Sequence, residues 1–182
     1  LLFDINQELA DKGLEILGKL KPAPLYKPNN TKLITTYNYD DDIDKIKEAD
    51  WIIEAVAEHL DIKHIVYKNI TPHLKKTAIV TSNTSGIPLT ALIEVFPDDV
   101  KKRFMITHFF NPPRYMRLLE LVKGADTSDE VYNTMAEFGE NVLGKGIVHA
   151  KDTPNFIGNR IGVYGMMVTI KIALEMGLTV EE

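Results

Sequence analysis

The sequence predicts an α/β protein: a mostly parallel sheet followed by the start of an all-helical region. Three observations carry that expectation. Short apolar runs of strand type, at residues 1–3, 51–56, 77–81, 104–107 and 147–150, alternate with amphipathic helical stretches, the pattern of a sheet covered by helices. Polar turns rich in Ser, Asn, Thr and His follow two of these runs, and the carboxyl ends of parallel strands are where such sheets bind ligands. From residue 156 to 176 the pattern is one long helix with no strand behind it.

Taken in order, residues 1–3 form a strand that ends at Asp4, and Asn6 or Asp4 caps a helix to about Lys19. Its expected buried stripe is Leu9, Leu14, Ile16, Leu17 and Leu20. Strand, acid, helix is half of a dinucleotide-binding unit, in which the acid holds the adenosine ribose hydroxyls; Asp4 equally fits a turn or cap residue. Three prolines between Lys21 and Asn30 make a loop. Residues 32–37 read as a strand and 40–48 as a short acidic surface helix. Glu54 interrupts the apolar run at 51–56 and needs hydrogen-bond partners there.

A helix at 61–74 is expected to bury Ile62, Ile65, Val66, Ile70 and Leu74. The strand at 77–81 ends in Ser82-Asn83-Thr84-Ser85, which places the Ser85 hydroxyl to donate to a ligand oxygen. The same turn, followed by Gly86 and Pro88, also suits a helix cap. Helices at 89–96 and 129–142 flank the strand that carries His108, and the last strand holds His149, with no acidic partner in view. Thr153-Pro154 marks a helix start. Gly158, Gly162 and Gly165 give the long helix one small face, and Thr179 with Glu182 has the spacing of a capping box.

Composition sets bounds on function. The 182 residues hold one domain and part of another, and 45% apolar with 26% charged residues is the balance of a soluble globular chain. The absence of cysteine excludes disulfides, thiolate metal sites and cysteine nucleophiles, and favours a reducing, cytoplasmic setting. A formal charge of −5 without a basic block argues against a nucleic-acid partner. The apolar stretch at 161–174 falls short of the roughly 20 residues a bilayer needs and contains Lys171, so no membrane span is expected.

The candidate for chemistry is the stretch from His108 to Glu120. The strand at 104–107 delivers His108 to a turn forced by Pro112 and Pro113, and Leu118-Leu119 returns toward Glu120. A neutral imidazole accepts a proton at physiological pH, and a carboxylate beside it orients the ring and favours its charged form. Pattern alone fits a surface histidine in a proline turn as well.

Four motifs fall in one family's order and spacing. They are Ser82-Asn83-Thr84-Ser85, His108-Phe109-Phe110-Asn111-Pro112, Glu120, and Lys151-Asp152-Thr153-Pro154-Asn155-Phe156-Ile157-Gly158-Asn159-Arg160. In them the chain resembles the 3-hydroxyacyl-CoA dehydrogenases, from Asp4 onward. The resemblance implies a Rossmann-like sheet, NAD as cofactor, an acyl-CoA substrate, and oxidation of (S)-3-hydroxyacyl-CoA to 3-ketoacyl-CoA in fatty-acid β-oxidation. It implies His108 as general base oriented by Glu120, with Ser85 and Asn159 positioning substrate oxygens. Cofactor contacts are implied at Asp4, Glu58, Lys63, Ser85 and Asn111; without the resemblance, Glu58 is a strand-end acid and Lys63 an exposed lysine. An acid at Asp4 disfavours a 2′-phosphate and hence NADP. No metal is implied, and a homo-oligomer is implied through the helical domain where that domain is complete.

The chain departs from the family in three places. None of its eleven glycines forms G-x-G-x-x-G, and Gly144-Lys145-Gly146 runs into a strand. By family spacing the first strand and its glycine loop belong ahead of residue 1. Residues 1–152 are therefore expected to be an NAD-binding domain without its amino end, and 153–182 the start of a C-terminal helical domain. The loop at 21–30 is shorter than the helical arm smaller relatives use toward CoA, and Asn155 stands where many relatives have Gly. The competing expectation is a non-catalytic fragment or interaction module that keeps the sheet without competent NAD binding. A third is a dehydrogenase of small hydroxy acids that lack CoA.

Overall fold

The computed structural model describes residues 1–179. In chain order it contains β1 (Leu2–Asp4), α1 (Gln7–Lys19), β2 (Thr36–Asn38), β3 (Trp51–Glu54), α2 (Leu60–Ile70), β4 (Ile79–Ser82), α3 (Leu89–Leu92), α4 (Asp98–Lys101), β5 (Phe104–Phe109), β6 (Leu118–Val122), α5 (Asp129–Asn141), β7 (Gly146–Ala150) and α6 (Gly158–Glu175). Strands β3 to β7 pair in sequence order as a five-stranded sheet, parallel except for the antiparallel pair β5–β6. Strands β1 and β2 pair in parallel as a separate two-stranded sheet. This is the mostly parallel α/β architecture that the alternating pattern predicts.

β5 lies at the centre and is covered on both faces, which is why Phe104, Met105 and Ile106 form an unbroken apolar run. On one side Phe104 and Ile106 pack with Tyr67, Ile70, Leu92 and Phe96. On the other, Met105, Leu119 and Leu121 meet Met135 of α5, with Trp51 and Ile147 packed alongside. The Trp51 ring sits edge-on to Phe138, and its indole N–H donates to the Thr81 hydroxyl at 2.9 Å. No helix among the described residues is long and apolar enough to cross a membrane.

The two sheets do not join. Between β1 and β3 lies a cleft of about 710 Å³, lined by Phe3, Tyr39, Trp51, Ile53, Ile62 and Val66 among others. It parts two strand edges. Of α1 only Ala10 is buried, while Leu9, Ile16 and Leu20 of the expected stripe stay exposed. Asn6 is the residue that caps α1, accepting from the Leu9 amide at 2.9 Å.

Other boundaries moved for local reasons. Pro28 opens a 3₁₀ turn over Pro28–Leu33, so the strand expected at 32–37 shrinks to β2. Residues 43–48 form a 3₁₀ turn with Ile46 buried, rather than a surface helix. In α2 the buried residues are Lys63, Tyr67 and Ile70, whereas Ile62 and Ile65 face outward. The long helix begins at Gly158 because Asn155 and Phe156 adopt positive φ (62° and 47°). Gly162 and Gly165 have open space around them, so they support no close packing; the second half of the Thr179/Glu182 capping box lies outside the described residues.

The difference between β6 and α1 is measurable. Leu121→Ala empties a fully buried site and is expected to cost about 2–5 kcal/mol. Ile16→Ala, at 46% exposure, should stay within about 0.5 kcal/mol. Urea unfolding of the two variants checks this; equal losses would mean that α1 is packed far more tightly than described.

Candidate active site

The antiparallel register of β5 and β6 sets His108 directly opposite Glu120. The His108 ring is buried at 4% exposure, in contact with Phe110 (4.6 Å between centroids) and edge-on to Phe156 (5.6 Å). Its Nδ1 lies 2.8 Å from Glu120 Oε2. Glu120 is completely buried, and its other oxygen accepts from the backbone N–H groups of Ile157 (3.0 Å) and Gly158 (2.7 Å). With two backbone amides on one oxygen, the buried carboxylate offers the other as an acceptor to Nδ1–H, the tautomer in which Nε2 presents a lone pair. That lone pair faces Ser85, whose hydroxyl donates across 3.2 Å.

The turn that offers two amides to Glu120 depends on backbone shape. Asn155 occupies the left-handed region, which glycine and asparagine tolerate best. Gly158 must lack a side chain, because a Cβ would stand 2.7 Å from Phe110 Cζ. Phe156 itself is buried against the His108 ring.

The Ser85 side is built from the ends of β3 and β4. Asn83 donates its N–H to the Glu54 carbonyl and accepts from the Phe109 amide at 2.9 Å, so the turn is fastened to β5. Glu58 Oε1 accepts from the Thr84 hydroxyl (2.5 Å) and from the amides of Ser85 (2.9 Å) and Gly86 (3.2 Å). Ser85 does not cap α3. Asp152, more than sixty residues on, does so by accepting from the Leu89 and Thr90 amides.

Lys63 is 1% exposed, and its ammonium contacts Glu54 Oε1 (2.7 Å), Glu58 Oε2 (3.2 Å) and the Val56 carbonyl (3.5 Å). Glu54 also accepts from the Tyr67 and Ser82 hydroxyls, both at 2.7 Å. Burial and the adjacent Glu54 charge push the Tyr67 phenol far above its ordinary range, so it stays a donor. Burial alone would raise the Glu58 carboxyl; the bonds from Thr84 and Ser85 and the Lys63 charge outweigh it and hold it below the usual carboxylate range. Glu54, Tyr67, Ser82 and Asp152 were not singled out as site residues by sequence. The one available signal was Glu54 itself, a carboxylate inside an apolar run.

His108, Glu120 and Ser85 thus come together, and Asn159 follows on the first turn of α6, half-buried, its side chain without a hydrogen bond among the described residues. Asn111 is exposed just beyond β5. Asp4 stands apart at the end of β1, with one oxygen accepting from the Ile5 amide. Among the described residues, no group of three or more His, Cys, Asp or Glu side chains is placed to hold a metal ion.

Comparison with known proteins identifies the family. The family described as 3-hydroxyacyl-CoA dehydrogenase, NAD binding domain, matches residues 1–153. A probable 3-hydroxyacyl-CoA dehydrogenase of Bacillus subtilis is 48% identical over 179 residues, which is 98% of this chain but 23% of that protein. A probable 3-hydroxyacyl-CoA dehydrogenase of Deinococcus radiodurans is 43% identical over 96% of this chain and 50% of its own length. The chain therefore spans 23% and 50% of these two relatives' lengths. Among solved structures, (S)-3-hydroxybutyryl-CoA dehydrogenase from Ralstonia eutropha superposes with a TM-score of 0.76 at 31% identity, covering 97% of this chain and 63% of that one. With the family match across residues 1–153 and a histidine–glutamate pair set in register, this chain belongs to the 3-hydroxyacyl-CoA dehydrogenase family, in its NAD-binding domain.

Proposed function

We propose that the chain is the proton-transfer part of an NAD-dependent 3-hydroxyacyl-CoA dehydrogenase that oxidises (S)-3-hydroxyacyl-CoA to 3-ketoacyl-CoA in fatty-acid β-oxidation. The observation that carries the reading is His108 held between Glu120 on Nδ1 and Ser85 on Nε2. Nε2 takes the substrate hydroxyl proton, and Glu120 stabilises the imidazolium that results. Ser85 and Asn159 supply hydrogen-bonding groups for substrate oxygens. NAD, when bound, accepts the hydride, and the protein supplies position and electrostatics.

The donor set fits two parts of a dinucleotide. The free oxygen of Asp4 suits ribose hydroxyls, and the exposed amide of Asn111 suits the nicotinamide ribose. A glycine-rich loop for the pyrophosphate is not encoded in the sequence. The open cleft between β1 and β3 suits one further parallel strand. We assign residues 1–152 to the NAD-binding domain and 153–182 to the start of a helical domain. Exposed Ile161, Tyr164, Met167 and Leu174 on α6 support a homo-oligomer formed through that domain. The cysteine-free composition supports a cytoplasmic setting.

A second reading, a non-catalytic fragment or interaction module, is favoured by the same open cleft. NADH titration followed by nicotinamide fluorescence separates the two: saturable binding is expected for a competent cofactor site, and no binding would favour the fragment. In a form of the protein with measurable turnover, His108→Ala should lower kcat by about 10²–10⁴-fold. Near-normal turnover would remove His108 from the role of base.

A further inference from the structure

Two segments flank the His108 ring, and neither belongs to the sheet. Residues 83–88, between β4 and α3, bring Ser85 to Nε2. Residues 151–157, between β7 and α6, bring Phe156 against the ring and the Ile157 amide to Glu120, with the Gly158 amide beside it. Strand register sets His108 opposite Glu120 but does not place these two segments. Among the described residues, the hydrogen bonds that join them come from Asp152. Its Oδ1 accepts from the Leu89 amide (2.8 Å) and its Oδ2 from the Thr90 amide (3.3 Å).

Asp152 fills a place that the local chain leaves empty. Pro88 precedes the first residue of α3 and has no side-chain oxygen, so the leading amides of α3 need an acceptor from elsewhere. The packing around that bond is close. A Cβ on Gly86 would stand 3.4 Å from Asn155 Oδ1, and Leu89 and Phe156 are both buried in one apolar cluster.

We propose that Asp152 is a positioning residue: by tying the start of α3 to the 151–157 turn, it sets the distance between the Ser85 side and the Glu120 side of His108. Loss of the carboxylate lets the two segments part. Ser85 then drifts from Nε2, a contact already 3.2 Å long, and the amides on Glu120 shift with Phe156. Displacement of a positioning group by about 1 Å can lower a rate roughly 10²-fold.

The role in turnover rests on the dehydrogenase reading; the tie itself does not. The test uses the ¹⁵N-labelled full chain with Asp152→Ala, Asp152→Asn and, as a control, Ser128→Ala. Ser128 caps α5 through the Val131 amide and lies beside Lys102, at the opposite end of β5 from His108. Asp152→Ala should shift the Leu89 and Thr90 amides and, with them, the Ser85, Ile157 and Gly158 amides and the His108 ring nitrogens. Asp152→Asn keeps an acceptor oxygen of good capping type and should return the His108 signals to near their wild-type positions. Ser128→Ala should leave all of these signals in place. Changes confined to Leu89 and Thr90 in Asp152→Ala would make Asp152 a helix cap alone and overturn the tie, as would equal His108 shifts in Ser128→Ala.

If Asp152→Ala does not fold, hydrogen exchange in the wild type decides. The Leu89, Ile157 and Gly158 amides should open together, with rates within about tenfold of one another. A Leu89 amide that exchanges far faster than the other two overturns the tie. Where turnover is measurable, Asp152→Ala should lower kcat roughly 10²-fold, yet add little to the loss in His108→Ala, because it acts through His108. An equal loss in both backgrounds would overturn the positioning role. If the unsubstituted protein shows no turnover at all, the dehydrogenase reading fails, and the amide signals still decide the tie.

Discussion

The orientation of His108 depends on one buried carboxylate. Glu120 has no exposure, and an ionised carboxylate in such a place persists only if its oxygens are fully engaged. One oxygen takes the His108 Nδ1–H, which fixes the ring's tautomer and aims Nε2 outward. The other takes two amides from the first residues at α6, which carry the partial positive charge of a helix N-terminus. The same side chain thus orients the imidazole and tethers the helical region to the sheet. No residue of α6 is itself buried, so this tether and the Phe156 contact are its principal hold on the rest of the protein.

Much of this was legible in sequence because strand pairing has simple arithmetic. Two apolar runs about a proline turn can bring residues 108 and 120 opposite each other, as the register does, while the choice of His108 and Ser85 over a surface histidine and a helix cap came from the resemblance. The inward face of α2 was not legible. Counting apolar residues selected Ile62 and Ile65, but the helix is rotated so that Lys63, Tyr67 and Ile70, at i, i+4 and i+7, point in. The buried Glu54 requires those polar partners, and a hydropathy pattern scores lysine as outside. Asp152 as the cap of α3 was hidden for another reason: it reaches Leu89 and Thr90 from a distant part of the chain, and no local pattern encodes a long-range cap.

Polar groups, not apolar area, decide how the two ends of the turn after β4 are placed. Ser82 is tied to Glu54, Asn83 to the β5 backbone, and Thr84, Ser85 and Gly86 to Glu58. Each residue of this short segment has its own partner, so the segment has little freedom to rearrange without breaking a bond in a buried or half-buried setting. The exposed apolar surfaces lie elsewhere, along α6 and in the cleft beside β1.

That cleft has an optical consequence. Trp51 is the single tryptophan in the sequence; it lines the cleft, bonds to Thr81, and rests against Phe138 beneath the sheet. Its emission therefore arises from one place only, on the open edge of β3, one strand removed from the strand that carries His108. Any segment that seats beside β3 displaces water from the indole's surroundings, and the colour of the protein's intrinsic fluorescence becomes a direct record of whether the sheet is joined or divided.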